Sequence, residues 1–116
     1  MATLLIVDDE KDIVSALEIY LKPEGYEILT ANSGKQAVDI MHRERVDLIL
    51  MDIMMPEMDG YQATSKIREE SNVPIIFLTA KSEDTDMILG LNIGADDYIT
   101  KPFNPAEVIA RVRSCL

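Results

Sequence analysis

Four short runs in this chain stop at residues able to do chemistry. Thr3 to Val7 runs into Asp8 and Asp9, Leu48 to Met51 into Asp52, Val73 to Leu78 into Thr79, and Asp97 to Thr100 into Lys101. If the runs are parallel strands of one sheet, these ends share an edge, which is where open α/β sheets take their ligands. Carboxylates gathered there at ~5 Å repel one another by roughly 3 kcal/mol per pair at an effective dielectric of ~20. The cluster therefore needs positive charge. Lys101 brings one, and donors that are all oxygen favour Mg²⁺ (or Mn²⁺) over zinc or copper for the rest.

The elements that would position these residues follow from periodicity. Leu48 to Met51 is continuously apolar, as in a strand buried on both faces, and Pro56 has no N–H with which to prolong its ladder. Ile13, Ala16, Leu17, Tyr20 and Leu21 recur at helical spacing, and Pro23 and Gly25 stop that helix. Tyr26 to Ala31 is a weaker second strand. Ser33 with Gln36 predicts a capping box before the apolar face Ala37, Val38, Ile40 and Met41. Asp59 caps a third helix with Ala63, Thr64 and Ile67 inward. Ser82 starts a fourth, ended by Gly94, and Asn104, Pro105 and Glu107 start a fifth, whose buried stripe is Val108, Ile109 and Val112. Five strands alternating with five helices predict a doubly wound parallel sheet covered on both faces.

The totals narrow the function. A chain of 116 residues makes one domain, and 21 acidic against 11 basic residues, a net charge of −10, argue against direct nucleic-acid binding. No apolar run approaches the ~20 residues that span a bilayer. Met1 leads straight into the first strand, leaving no room for a signal peptide, and Cys115, the single cysteine, has no internal disulfide partner. A cytoplasmic protein with no membrane partner is expected.

The pieces LLIVDDE, LILMDIMMPEMDG, IIFLTA and GADDYITKPF, in this order and spacing, resemble the receiver domains of two-component response regulators. The last piece is most similar to receivers of the OmpR/PhoB class, which precede a winged-helix DNA-binding domain. The resemblance implies a flavodoxin-like strand order 2-1-3-4-5, a receiver domain over residues 1–116 and an effector domain absent from this chain. It implies that Asp52 accepts a phosphoryl group from the phosphohistidine of a sensor histidine kinase. Asp8 and Asp9 would hold Mg²⁺ with Asp52 and the backbone carbonyl of Met54. Thr79 and Lys101 would bind the phosphoryl oxygens, Lys101–Pro102 would be a cis peptide, and Tyr98 would turn inward when Thr79 moves. Met54 and Lys81 would tune the lifetime of the phosphorylated state, and small Ala80 would leave a donor room. Such receivers pair through the fourth helix, fifth strand and fifth helix. Here Asp97, Glu107 and Arg111 keep the charges of that face, while Met87 and Asn92 stand where a basic and an acidic residue are usual. At most a weak, phosphorylation-dependent homodimer is expected.

A phosphatase of the haloacid dehalogenase type also uses a strand-end aspartate with Thr, Lys and Mg²⁺, but wants a second acid where this chain has Met54. Met51, Met54, Met55 and Met58 do not share a face for soft-metal binding. Gly34–Lys35 lacks the remainder of a P-loop. His42 reads as solvated among Arg43, Glu44 and Arg45, and Cys115 as inert.

Overall fold

The computed structural model describes residues 1–80 and 94–116. Five strands form one sheet: β1 Thr3–Val7, β2 Glu27–Ala31, β3 Leu48–Asp52, β4 Ile75–Thr79 and β5 Asp97–Thr100. Their order is β2-β1-β3-β4-β5, and every neighbouring pair is parallel. Helices α1 Lys11–Leu21, α2 Gly34–Arg43 and α3 Gly60–Arg68 lie between strands, and α4 Pro105–Cys115 follows the last. The flavodoxin-like order is as expected, with four α-helices among the described residues. The helix expected from Ser82, and with it Lys81, Met87 and Asn92, lies outside them.

Pleating sorts each continuous apolar run onto two faces. Leu5, Val7, Ile49, Met51, Ile75 and Phe77 pack with Ala37 and Ile40 of α2 and Ala63 and Ile67 of α3. Leu4, Ile6, Leu48, Leu50, Ile76, Leu78 and Ile99 pack with Leu17 and Leu21 of α1 and Val108 and Val112 of α4. The central strands β3 and β4 are buried at every residue, which is why their sequences do not alternate.

Local chemistry refines the expected ends. β4 starts at Ile75 rather than Val73. Pro74 has no N–H, so only its carbonyl joins the sheet, accepting from the Ile49 N–H at 2.9 Å. Ser33 caps α2 through the Gln36 N–H, but the Gln36 amide oxygen accepts from Asn32 instead of closing the box on Ser33. The complete capping box belongs to α3, between Asp59 and Gln62. Asn104 caps α4 through the Ala106 and Glu107 N–H groups. Gly25 ends the turn after α1 with φ +94°, a left-handed conformation that favours glycine.

Arg68, at the end of α3, gathers the chain at the edge opposite the acidic strand ends. It donates to the carbonyls of Ser71, Val73 and Gly94 and pairs with Asp96 at 3.2 Å. The same Asp96 oxygen accepts from the Ile75 N–H at 2.8 Å. One guanidinium thus holds the approaches to both β4 and β5.

Candidate functional site

Register brings the acids together. Val7 lies opposite Met51 on adjacent strands, so Asp8 and Asp52, one residue on, leave the sheet side by side. Asp52 lies opposite Leu78, which sets Thr79 one step beyond it on the other side. Lys101 leaves β5 next to Thr79, its N–H donating to the Thr79 carbonyl at 2.7 Å.

Asp8 and Asp52 are only 1% and 4% exposed, while Asp9 is open to solvent. Each of the three offers a carboxylate oxygen within 4.8 Å of the others. Lys101 Nζ donates to Asp8 Oδ2 and Asp52 Oδ1, both at 3.3 Å. Asp8 Oδ1 is turned away to accept from the Glu10 N–H at 2.9 Å. That bond shapes the turn into α1, whose N-cap residue, Glu10, makes no side-chain cap. The entry to α1 is therefore held by the Asp8 carboxylate and not by a side-chain cap.

Burial is the main reason that the Asp52 pKa rises from its ordinary 3.8 to about 6; the neighbouring Asp8 adds to the rise, and Lys101 opposes it. Burial also works against the Lys101 charge, but Asp52 and Asp8 outweigh it and raise that pKa. One lysine does not neutralise three acids. The donor set, three carboxylates without sulfur or imidazole, fits a hard divalent cation such as Mg²⁺. Asp8, Asp9 and Asp52 are the residues that would hold it.

A close backbone approach locks the acceptor strand to the next helix. A Cβ on Gly60 would sit 2.3 Å from the Asp52 carbonyl oxygen and 2.9 Å from Ile53 Cα. The Gly60 N–H instead reaches the Ile53 carbonyl at 2.9 Å. Sequence reasoning passed over this glycine, although a glycine in the first turn of a helix is a signal in itself. Glu57, within the same connection, has φ +66°.

The other expected residues fall as follows. Thr79 is buried at the end of β4, and Ala80 beside it is exposed. Lys101–Pro102 is cis. Met54 is 79% exposed. Tyr98 is half-buried, its ring edge-on to Phe77 at 5.9 Å between centroids, with Tyr61 on Phe77 at 5.3 Å. Asp97, Glu107 and Arg111 meet one another within the chain. Arg111 Nη1 lies 2.9 Å from both Asp97 oxygens, and Nη2 lies 3.7 Å from Glu107. His42, expected to be merely solvated, accepts a partner from α3's end: Nε2 lies 2.8 Å from Glu70. Twenty-eight residues separate this pair, too far for a local pattern to show.

Comparison with known proteins agrees with this geometry. The family model described as response regulator receiver domain matches residues 4–113. The transcriptional regulatory protein YvrH of Bacillus subtilis is 52% identical over 116 residues, 99% of this chain and 49% of its own. The chain thus spans about half the length of that curated relative. The chemotaxis protein CheY4 of Vibrio cholerae superposes with TM-score 0.95 at 32% identity, covering 100% of this chain and 99% of that one. The receiver domain of the Pseudomonas aeruginosa sensor histidine kinase PA1611, with a magnesium ion coordinated in its active-site cleft, superposes with TM-score 0.90 at 37% identity, over 98% and 96% of the two chains. No helix among the described residues is long and apolar enough to cross a membrane.

Proposed function

Since the chain belongs to the response regulator receiver domain family, we propose that it works as a signalling switch thrown by phosphorylation of Asp52. The observation that carries this reading is the Asp8–Asp9–Asp52 cluster with Lys101 Nζ 3.3 Å from two of its members. An Asp52 oxygen attacks phosphorus of a sensor kinase's phosphohistidine, and the P–N bond breaks as the acyl phosphate forms. Asp8, Asp9, Asp52 and the Met54 backbone carbonyl would hold Mg²⁺, which would supply charge neutralisation at the phosphoryl oxygens. Lys101 holds those oxygens from the opposite side. The Thr79 hydroxyl follows them, and Tyr98 responds to its move, which reshapes the surface around β5 and α4. Self-catalysed transfer and slow hydrolysis complete the cycle.

The output is proposed from the resemblance and from the transcriptional relative: a receiver of the OmpR/PhoB class, acting in the cytoplasm on a DNA-binding effector domain. Fast turnover of phosphomonoesters would instead mark a phosphatase, for which Met54 offers a thioether where a carboxylate is wanted. The test is mass. A small acyl phosphate with Mg²⁺ adds one phosphoryl group to the protein and none to Asp52→Asn, and labelling of that variant refutes the assignment.

A further inference from the structure

The seven methionines of this chain are not equivalent. Met51 and Met55 are 0% and 7% exposed, and Met41 and Met58 are half-buried against the core. Met1, at the chain end, and Met54 are the described methionines open to water, at 93% and 79%. Met54 lies two residues beyond Asp52, so their Cα atoms are within ~7 Å by chain length alone. The Asp52 carboxyl, in contrast, is nearly closed off at 4% exposure. A freely accessible thioether thus stands where β3 leaves the sheet beside its acceptor.

We propose that Met54 is a redox modification site, oxidised by hydroperoxides to the sulfoxide, and that this shortens the life of the phosphorylated state. The second part rests on the receiver reading of Asp52. The Met54 sulfur attacks the terminal peroxide oxygen, the S–O bond forms as the O–O bond breaks, and the departing oxygen takes up the proton as water or an alcohol. Sulfur is oxidised by two electrons and the peroxide is reduced by two. The product exchanges an apolar, weakly accepting group for a strong hydrogen-bond acceptor, and a sulfoxide reductase reverses it. An apolar side chain cannot orient water, whereas a sulfoxide oxygen at that position holds one within reach of the phosphoryl group on Asp52. Cys115 is a poor competitor for the oxidant, because burial raises its thiol pKa and keeps the thiolate scarce.

The experiment has two readouts. Dilute hydrogen peroxide is applied to the folded protein, and fragment masses locate the added oxygen; Met54 gains it about tenfold or more faster than Met51 and Met55, and unfolding in urea removes the difference. The acyl phosphate label is then followed in time. Oxidised protein loses it about three- to tenfold faster, below the ~10²-fold of a full general base. Sulfoxide reductase restores the slow decay, Met54→Gln decays fast without peroxide, and the decay of Met54→Leu does not respond to peroxide. Equal oxidation of Met51 or Met55 in the folded protein overturns the site. An unchanged lifetime with Met54 oxidised overturns its consequence. Failure of the unoxidised protein to label on Asp52 overturns the receiver reading and that consequence with it, while mapped oxidation at Met54 stands on its own.

Discussion

Replacing Asp52 with Asn should make the metal-free protein more stable while abolishing its labelling. The carboxyl is buried, and its pKa stands at about 6 against an ordinary 3.8. A rise of about two units corresponds to roughly 3 kcal/mol that the ionised side chain costs the folded state. Asn fills nearly the same volume without the charge, and Lys101 keeps Asp8 at 3.3 Å as partner. Losing the second partner of Lys101 offsets part of the gain, so about 1–3 kcal/mol is expected near neutral pH. For a domain of this size that is a rise of about 4–12 °C in Tm. The pH dependence gives the sharper test. Above about pH 6 Asp52 is ionised in both folded and unfolded chains, and the folded protein bears the whole penalty; below 3.8 it is protonated in both, and the penalty is gone. The gap between variant and natural protein should therefore be full near pH 7 and close as pH falls from about 6 to about 4. Thermal unfolding by circular dichroism in chelator, at several pH values, measures it. A variant less stable at neutral pH, or a gap indifferent to pH, would show that Lys101 already compensates the carboxylate and that burial does not dominate.

Gly60→Ala should cost about 2–3 kcal/mol and slow labelling, because its methyl would displace the Asp52 carbonyl 2.3 Å away; full stability in urea titration would argue against that clash. Thr64 is wholly buried, and its hydroxyl has no partner among the described residues, so Thr64→Val should raise the urea midpoint at unchanged m, by the equivalent of about 1 kcal/mol in stability. A loss instead would reveal a hidden partner. The unphosphorylated chain should sediment as a monomer and the phosphorylated one as at most a weak dimer with little salt dependence, since Asp97 and Arg111 are already joined within the chain. A tight dimer that parts at high salt would contradict this.

The fold was readable because the strand runs are short, mostly apolar and set between helix starts and stops. β1 and β5 begin and end where expected. The site was readable for a related reason: a parallel sheet collects its strand ends on one edge, so order in the chain becomes neighbourhood in space. What escaped was contact without local period. The Asp59–Gln62 box was present as a spacing but overlooked. The Gly60 approach, the His42–Glu70 pair and the Arg68 bonds depend on backbones or side chains brought together by the fold. Arg111, which the resemblance puts on a pairing face, grips Asp97 of its own chain, a contact no local spacing announces, because one residue of β5 and one of α4 lie within a guanidinium's reach.

Arg68 also bears on how a signal can travel. Its bonds to Ser71, Val73, Gly94 and Asp96 pin β4 and β5 at the ends remote from Thr79 and Lys101. Sliding either strand along its axis would break several of these bonds together, so slippage of register is an expensive response to events at the acids. β4 is also laddered to β3 and β5 along its length, up to Thr79 opposite Thr100, so a disturbance at Thr79 or Lys101 meets strands held both at their far ends and at their flanks.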